Sequence, residues 1–365
     1  MRILIVRLRQ IGDVVFTTPA VHALRRRFPD AHLAYLVEPA ASSIVAANPH
    51  LNEVVVAPRG RGWSALGQDL VLGCRLRRAR YDVVLDFHGG PRASLLTWLS
   101  GAPVRIGYDV LGRGWMYTRR VHRPRELRER HSVDNQWDLL ESLGIERPTP
   151  ERNPVEMPVD SRAAHVVEQR LAAAGVSWND RLAVLHVSAG NPFRRWPIES
   201  FGEVAASLAA RDRRNRIVVT SGPSESDAAT RVITDARGRL PTAERGRVLD
   251  CGEFSLTELR ALVERAALYI GGDSGPMHIA ATSSVSMVSL YGPTLPVRSA
   301  PWRPARWPSV AVEVSGLPCR PCDQRRCAPG DFRCLNRISP TQVIDAAAGL
   351  LGSADQGAEA PGQVP

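Results

Sequence analysis

The feature that most constrains this chain is an alternation of short apolar runs with helical patterns, which occurs as two consecutive series. In the first series, helical patterns separate four apolar runs of strand length: 3–6, 33–37, 53–56 and 82–86. The alternation restarts in the second half, with strand-like runs at 182–187, 217–220, 248–249, 268–270 and 288–291. Strands that alternate with helices indicate βαβ units and parallel sheets. The chain is therefore expected to form two Rossmann-like α/β domains.

The chain has 365 residues, a length that fits two domains of ordinary size. Prolines concentrate in residues 146–158, which predicts a linker. We expect an N-terminal domain with linker at 1–158, a C-terminal domain at 159–352 and a disordered tail at 353–365. Residues 101–130 show no clear pattern. Two open parallel sheets are expected to face each other, with a ligand cleft at the carboxyl ends of their strands.

The composition and the net charge limit the cellular locations and the binding partners that we expect. No apolar run approaches the ~20 residues that cross a bilayer, and the start is too short for a signal peptide, so we predict a cytoplasmic protein. All 47 basic residues are Arg, for which genomic base composition is the simplest cause, and the net charge is +10. The charge is spread along the chain, which does not favour nucleic acid. It does suit a phosphorylated substrate or contact with an anionic membrane surface.

The first candidate site is the loop 9–15, which follows the first strand and opens a helix. Gly12 permits a tight turn there, and Asp13 is expected at the N-cap or in the first turn. Two interpretations fit Asp13: a plain helix cap, or a general base at the mouth of the cleft.

The second candidate site is the loop 271–278, also between a strand and a helix, and we expect it to be the equivalent of the Asp13 turn in the second domain. Its glycines and Ser274 expose successive backbone N–H groups, an arrangement suited to a pyrophosphate. Its other reading is an ordinary βα turn capped by Asp273.

Two further loops carry charge after strands. Arg194 and Arg195 precede Trp196 in the loop 188–197 and suit a diphosphate, although a solvated basic turn has the same composition. Glu225 follows another strand, where an acid suits ribose hydroxyls.

The C-terminal segment contains four cysteines within sixteen residues: Cys319, Cys322, Cys327 and Cys334. The spacing departs from paired CxxC units, so we favour a structural loop of reduced thiols over a zinc site. No GxGxxG fingerprint follows a predicted strand, and no GxxxxGK[ST] phosphate loop is present. Dehydrogenase and P-loop kinase functions are therefore disfavoured.

Three segments together resemble glycosyltransferase family 9, the lipopolysaccharide heptosyltransferases and their relatives. They are the opening 1–29, the Gly272–His278 motif with the following 291–294, and the Cys-bearing segment 316–343. The resemblance implies the GT-B fold, with the acceptor bound by the N-terminal domain and the sugar nucleotide by the C-terminal domain. It also implies an inverting transferase.

The resemblance also assigns roles to single residues. It implies Asp13 as the general base, with Gly12 beside it in the loop. It places Arg194 or Arg195 at phosphate, Glu225 loosely at the ribose, and a donor-binding motif at Asp273, Ser274, Gly275 and His278. Arg120 lies in one of three Arg-rich stretches (59–61, 75–80 and 119–130). These stretches suit a lipid-linked, phosphorylated glycan acceptor at the inner membrane surface, although a surface-exposed basic face has the same composition.

The expected reaction is transfer of heptose from ADP-heptose to a lipopolysaccharide-core-type or other glycan acceptor. No metal cofactor is expected, because Arg and backbone groups neutralise the leaving group. The alternatives are a transferase or epimerase that uses another nucleotide sugar, and a non-catalytic protein that binds a nucleotide sugar or a metal.

Overall fold

The computed structural model describes residues 1–58, 63–122 and 130–358, and the chain divides into two compact units. The first unit comprises Met1–Pro158 together with Trp302–Pro304, and the second comprises Val159–Pro301 and Ala305–Pro365. Each unit contains a six-stranded sheet whose paired strands are all parallel. The α/β class with two Rossmann-like parallel sheets, predicted from the alternation of strands and helices, is confirmed.

The N-terminal sheet has the strand order β3-β2-β1-β4-β5-β6. Its strands are β1 (Arg2–Val6), β2 (His32–Val37), β3 (Glu53–Val56), β4 (Val83–Asp86), β5 (Val104–Tyr108) and β6 (Arg119–Val121). The helices of this unit are α1 (Ile11–Val15), α2 (Thr18–Arg27), α3 (Pro39–Val45), α4 (Trp63–Arg78), α5 (Pro91–Leu99) and α6 (Ser132–Glu141). The strand order reverses between β1 and β4, which is where doubly wound folds bind ligands.

The C-terminal sheet has the order β12-β11-β10-β7-β8-β9. Its strands are β7 (Arg181–His186), β8 (Asn215–Thr220), β9 (Val248–Leu249), β10 (Leu268–Gly272), β11 (Ser286–Tyr291) and β12 (Ser309–Glu313). Its helices are α7 (Ser161–Ala173), α8 (Ile198–Arg211), α9 (Ser226–Arg239), α10 (Leu256–Arg265), α11 (Gly275–Ala280), α12 (Pro296–Ser299), α13 (Arg333–Asn336) and α14 (Pro340–Ala358).

The two sheets have the same connectivity, which corrects one expectation. In each unit the first strand lies in the middle and pairs with the second and the fourth, so β1 corresponds to β7 and β4 to β10. Asp13 follows β1, whereas Asp273 follows β10. The expectation that the two turns are equivalent is wrong, because β10 is the fourth strand of its series. The equivalent of the Asp13 loop is the loop after β7, which carries Arg194 and Arg195.

The central strands form because their apolar runs are buried on both sides of the sheet. From Ile3 to Val6 every side chain is completely buried, as expected for a parallel strand covered by helices on both faces. Gly144 and Gly175 end α6 and α7 with φ values of +69° and +77°, in the left-handed conformation that glycine permits.

Three differences from the sequence-based expectation concern edges and ends. Residues 101–130, expected to be irregular, contain β5 and β6, and residues 309–313 form the edge strand β12. The helix α14 continues to Ala358, into the segment expected to be a tail, because no proline interrupts it before residue 361. The rest of that tail, 359–365, lies outside the described residues. Within the described part of the chain, no helix combines the length and the hydropathy of a membrane span.

Candidate active site

Asp13 is the third residue of α1 and forms part of its N-terminal cap. Its Oδ2 accepts a hydrogen bond from the backbone N–H of Gln10 at 3.5 Å, and the same oxygen forms an ion pair with Arg7 Nη2. The side chain is 38% exposed, so a solvent-borne group can reach it. The structure therefore shows Asp13 in the cap of α1 and leaves its carboxylate accessible, while its role as a general base stays a prediction.

Gly12 lies inside α1 and not in the preceding loop. Its carbonyl oxygen accepts the hydrogen bond of the Phe16 N–H at 2.9 Å, as in a regular helical turn. The expectation that Gly12 forms a tight turn is wrong, because residues 7–10 make the connection from β1 and the helix begins at Ile11.

Arg7 is a neighbour of Asp13 that sequence reasoning missed. Its side chain is 13% exposed, and its Nη1 donates to the carbonyl oxygen of Phe87 at the end of β4. His88 lies beside it, with Nδ1 3.1 Å from the carbonyl oxygen of Arg9. Burial, followed by the charge of Arg7, lowers the pKa of His88. The carboxyl ends of β1 and β4 thus bring Arg7, Asp13 and His88 together.

A buried carboxyl group anchors the loop after β4. Asp86 Oδ1 accepts hydrogen bonds from the N–H groups of His88 and Gly89, both at 2.9 Å, and Oδ2 accepts one from Tyr117 at 2.6 Å. Burial raises the pKa of Asp86, and these hydrogen bonds offset only part of that effect. Asp86 therefore holds His88 in place and is not itself exposed to a ligand.

Arg120 lies on the short strand β6 at the edge of the N-terminal sheet, and its side chain is exposed. Arg120 belongs to the Arg-rich stretch 119–130, of which residues 123–129 lie outside the described residues. The Arg-rich stretch 59–61 also lies outside them. The structure thus leaves Arg120 apart from the Arg7–Asp13–His88 group, with which it has no described contact.

In the C-terminal unit, Arg194 reaches the end of β10. Its Nη1 donates to the backbone oxygen of Asp273 at 3.1 Å and lies 3.3 Å from Oδ2, while Nε donates to Gln324 at 2.7 Å. A Cβ on Gly272 would lie 3.1 Å from the carbonyl oxygen of Arg194, so the glycine permits this close approach. His278 on α11 places Nε2 3.5 Å from Asp273 Oδ1.

Asp273 is almost completely buried, and its environment favours the ionised form. Burial raises the pKa of the carboxyl, but a hydrogen bond with His278 and the charges of His278 and Arg194 outweigh it and lower the pKa. A carboxylate that is ionised, buried and bonded to Arg194 holds the guanidinium in one orientation. The structure brings together Arg194, Asp273 and His278, three of the predicted donor residues.

Ser274 and Gly275 continue this loop into the short helix α11. Ser274 is the N-cap residue, and its nearly buried hydroxyl has no hydrogen-bond partner among the described residues. Gly275 is the first residue of the helix. Asp273, for which a capping role was one interpretation, is not the cap.

Arg195 and Glu225 form a second group. Arg195 donates from Nε to the carbonyl oxygen of Ala189 at 2.9 Å, and its Nη2 pairs with Glu225 Oε1. Both residues line a cavity of about 550 Å³ at the beginnings of α8 and α9, together with Trp196. Arg194 and Asp273 do not line it. The predicted donor residues are therefore divided between a cavity and an adjoining ion network.

His186 forms a buried network that the sequence did not reveal. Its Nδ1 lies 3.0 Å from Thr220 Oγ1 and its Nε2 lies 3.1 Å from Ser188 Oγ, which accepts the Gly222 N–H at 2.8 Å. The network ties the loops after β7 and β8 together. Burial lowers the pKa of His186 to about 4.

This low pKa predicts a pH dependence of stability. The unfolded chain takes up the His186 proton near pH 6.5, whereas the folded protein resists protonation down to about pH 4. The free energy of unfolding is therefore expected to fall between these values, by up to about 3 kcal/mol for this group. Urea unfolding of wild type and His186→Gln at pH 7.5, 6 and 5 measures it. The prediction is refuted if the free energy of unfolding of the wild type falls no more between pH 7.5 and pH 5 than that of His186→Gln.

The four clustered cysteines are free thiols, with Cys334 buried and the others partly buried. Among the described residues, one set of three His, Cys, Asp or Glu side chains has its ligand atoms within 4.8 Å of one another, and it contains no cysteine. No three of the four sulfur atoms lie within 4.8 Å of one another, although Cys319, Cys322 and Cys327 are near enough to Cys334 to add to the effect of burial, which raises the pKa of its thiol.

Comparison with known proteins identifies the family. The profile of glycosyltransferase family 9 (heptosyltransferase) matches residues 70–331, more than half of the chain. The chain belongs to glycosyltransferase family 9. It is therefore a glycosyltransferase, as the resemblance implied.

Individual relatives agree with this membership. The chain is 29% identical over 304 residues to lipopolysaccharide heptosyltransferase 3 of Escherichia coli K12, which covers 81% of this chain and 83% of the relative. The crystal structure of a family 9 glycosyltransferase from Veillonella parvula has a TM-score of 0.81 at 24% identity, over 96% of this chain and 97% of that one. The heptosyltransferase WaaC of E. coli with ADP-2-deoxy-2-fluoro heptose has a TM-score of 0.66 at 20% identity, over 94% and 99%. These likenesses show the GT-B fold class.

Proposed function

We propose that this glycosyltransferase transfers heptose from ADP-heptose to an acceptor of the lipopolysaccharide-core type, with inversion at the anomeric carbon. Its relative in E. coli K12 is a lipopolysaccharide heptosyltransferase, and the similar WaaC structure contains an ADP-heptose analogue. The observation that carries the proposal is the Arg194–Asp273–His278 network, because it presents a fixed guanidinium beside a cavity of nucleotide size.

In this proposal the C-terminal unit, 159–352, binds the donor. The cavity beside Arg195 and Glu225 takes the nucleoside, with Glu225 accepting ribose hydroxyls. Arg194 contacts its described neighbours through Nε and Nη1, so Nη2 is available for the diphosphate. The Ser274 hydroxyl and the Gly275 N–H supply neutral donors at the same loop. Preorganised donors stabilise the charge that grows on the leaving diphosphate.

The N-terminal unit, 1–158, binds the acceptor and supplies the base. Both described contacts of the Asp13 carboxylate involve Oδ2, which leaves Oδ1 for the acceptor hydroxyl. Asp13 takes the hydroxyl proton as the acceptor oxygen bonds to the anomeric carbon. The bond from that carbon to the diphosphate breaks, and its electron pair leaves with ADP. Arg7 positions the carboxylate, and His88 lines the same edge of the sheet.

The acceptor is lipid-linked in this proposal, so the enzyme works at the cytoplasmic face of the inner membrane. The exposed Arg120 on β6 is our candidate for a phosphate group of the acceptor. No metal cofactor takes part in the transfer step as proposed, because Arg194 and backbone N–H groups neutralise the diphosphate.

A thermal-shift screen tests the donor. ADP-heptose is expected to raise the melting temperature of the purified chain more than GDP- or UDP-sugars at equal concentration, because a ligand that binds only the folded state stabilises it. The matched comparison is Glu225→Gln, which is expected to reduce the shift given by ADP-heptose. A larger shift with a GDP- or UDP-sugar would show that the donor is assigned wrongly, even though the enzyme class stands.

A further inference from the structure

The cluster of His22, His50 and Glu156 lies in the N-terminal unit and plays no part in the proposed transfer. His22 is on α2, His50 follows α3, and Glu156 is near the end of the unit's continuous segment. Glu156 Oε1 lies 3.6 Å from His22 Nδ1, and Oε2 lies 3.3 Å from His50 Nε2. The two imidazole rings are stacked, with centroids 4.7 Å apart and planes 10° apart. Three segments distant in sequence thus direct metal-ligand atoms toward one another.

We propose that His22, His50 and Glu156 bind a divalent transition-metal ion of the zinc type. Two imidazoles and one carboxylate are ligands that such ions prefer, and three protein ligands leave one position of a tetrahedron for water. Donor atoms of a tetrahedral zinc site are about 3.3 Å apart, given bonds of about 2.0–2.1 Å. Both distances to Glu156 are close to that value. All three ligand atoms lie within 4.8 Å of one another, so a rotation of one imidazole completes the set.

The burial of the ligand atoms supports a bound ion. His22 Nδ1 and Glu156 Oε2 are buried, and neither forms a hydrogen bond with a described residue, although Oε2 lies 3.3 Å from His50 Nε2. Unsatisfied buried polar atoms are rare in folded proteins, and a metal ion would coordinate both. The side chains themselves are 22–25% exposed, which gives an ion access from solvent.

The surroundings fix the ligands in place. The Glu156 N–H donates to Thr18 Oγ1 at 2.9 Å, and Thr18 Oγ1 donates to the Val15 carbonyl at 2.7 Å. The carbonyl oxygen of His50 accepts hydrogen bonds from Arg25 Nε and Nη2 at 3.2 and 3.1 Å. Arg25 and the exposed Arg26 place positive charge near the cluster and oppose the ion. Because the three ligands come from α2, from the segment after α3 and from the segment of Glu156, the bound metal acts as a structural crosslink between them.

Zinc titration of the full-length chain, stripped of metal with a chelator and desalted, tests the proposal. Wild type is expected to bind one Zn²⁺ at the cluster, and Zn²⁺ at about 100 times its Kd is expected to raise Tm by about 5 °C. His50→Ala and Glu156→Gln are expected to weaken this binding by more than about tenfold. His32→Ala is the matched control, because His32 pairs with Glu53 at 3.4 Å without a third ligand.

The absorption spectrum of bound Co²⁺ distinguishes binding at this cluster from binding at the cysteine segment. Co²⁺ at the His–His–Glu cluster is expected to show ligand-field bands and no thiolate-to-cobalt charge-transfer band. Glu156→Gln keeps the size of the side chain, so it tests the site even where His50→Ala fails to fold. The proposal is overturned if wild type binds no Zn²⁺, if both variants bind it as tightly as wild type, if His32→Ala weakens binding equally, or if the bound Co²⁺ shows the thiolate band.

Discussion

Asp13→Asn is expected to lower kcat for sugar transfer by about 10²–10⁴-fold, while ADP-heptose still raises the melting temperature of the variant. The amide cannot take up the acceptor proton, so the step that forms the new glycosidic bond loses its base. Asn has nearly the same shape as Asp and retains an oxygen that can accept the Gln10 N–H. The loss should therefore appear in kcat with little change in the donor KM.

The control for Asp13→Asn is Asp30→Asn, in the same unit. Asp30 is exposed and lies beyond the end of α2, away from the carboxyl edge of the sheet. Its replacement is expected to leave kcat unchanged. Initial rates of ADP release, measured with and without acceptor, separate transfer from hydrolysis. If Asp13→Asn transfers sugar at the wild-type rate, Asp13 is not the base. If the variant loses both kcat and the rise in melting temperature given by ADP-heptose, Asp13 has a structural role.

The central strands were predictable because a run such as residues 3–6 has a single stable environment, the interior of a parallel sheet. β5 was not recognised, although Val104, Ile106 and Tyr108 alternate with Arg105 and Gly107. The whole segment 101–130 is rich in Arg and Gly, which predicts a less regular structure. A Cβ on Gly107 would lie 2.3 Å from Tyr117 Cε1, so the glycine makes room for a ring that packs on the strand. Local pattern cannot reveal a requirement set by a residue ten positions away.

The candidate site was predictable where a motif is local. The loops of Asp13 and Asp273 each combine a strand end, a glycine and a helix start within a few residues. Arg7 was missed because its importance depends on Asp13 and on Phe87, which β4 brings next to β1. The His22–His50–Glu156 cluster is formed from residues up to 134 positions apart, so no spacing in the sequence signals it.

The sequence left open whether Arg194 or Arg195 contacts the diphosphate, and the structure provides a physical basis for a choice. The buried Asp273, at the end of β10, and Gln324, in the cysteine-bearing segment, hold Arg194 in place. Arg195 is 43% exposed and pairs with Glu225 at the cavity. Arg194→Ala is therefore expected to lower kcat by about 10²–10³-fold, since it removes a preorganised cation from the leaving group. Arg195→Ala is expected to change the donor KM by about fivefold or less, as for other exposed ion pairs.

Arg194→Ala leaves the buried Asp273 carboxylate with fewer partners, so the loss of kcat could also come from a folding defect. A second variant at the same position separates the two causes. Arg194→Lys keeps the positive charge near Asp273 but cannot bond Gln324 and Asp273 from one planar group. It is expected to melt close to wild type and still to lose most of its kcat. Equal losses in Arg194→Ala and Arg195→Ala, or a larger loss at Arg195, would transfer the diphosphate role to Arg195. In that case the cavity, and not the Asp273 network, would receive the charged part of the donor.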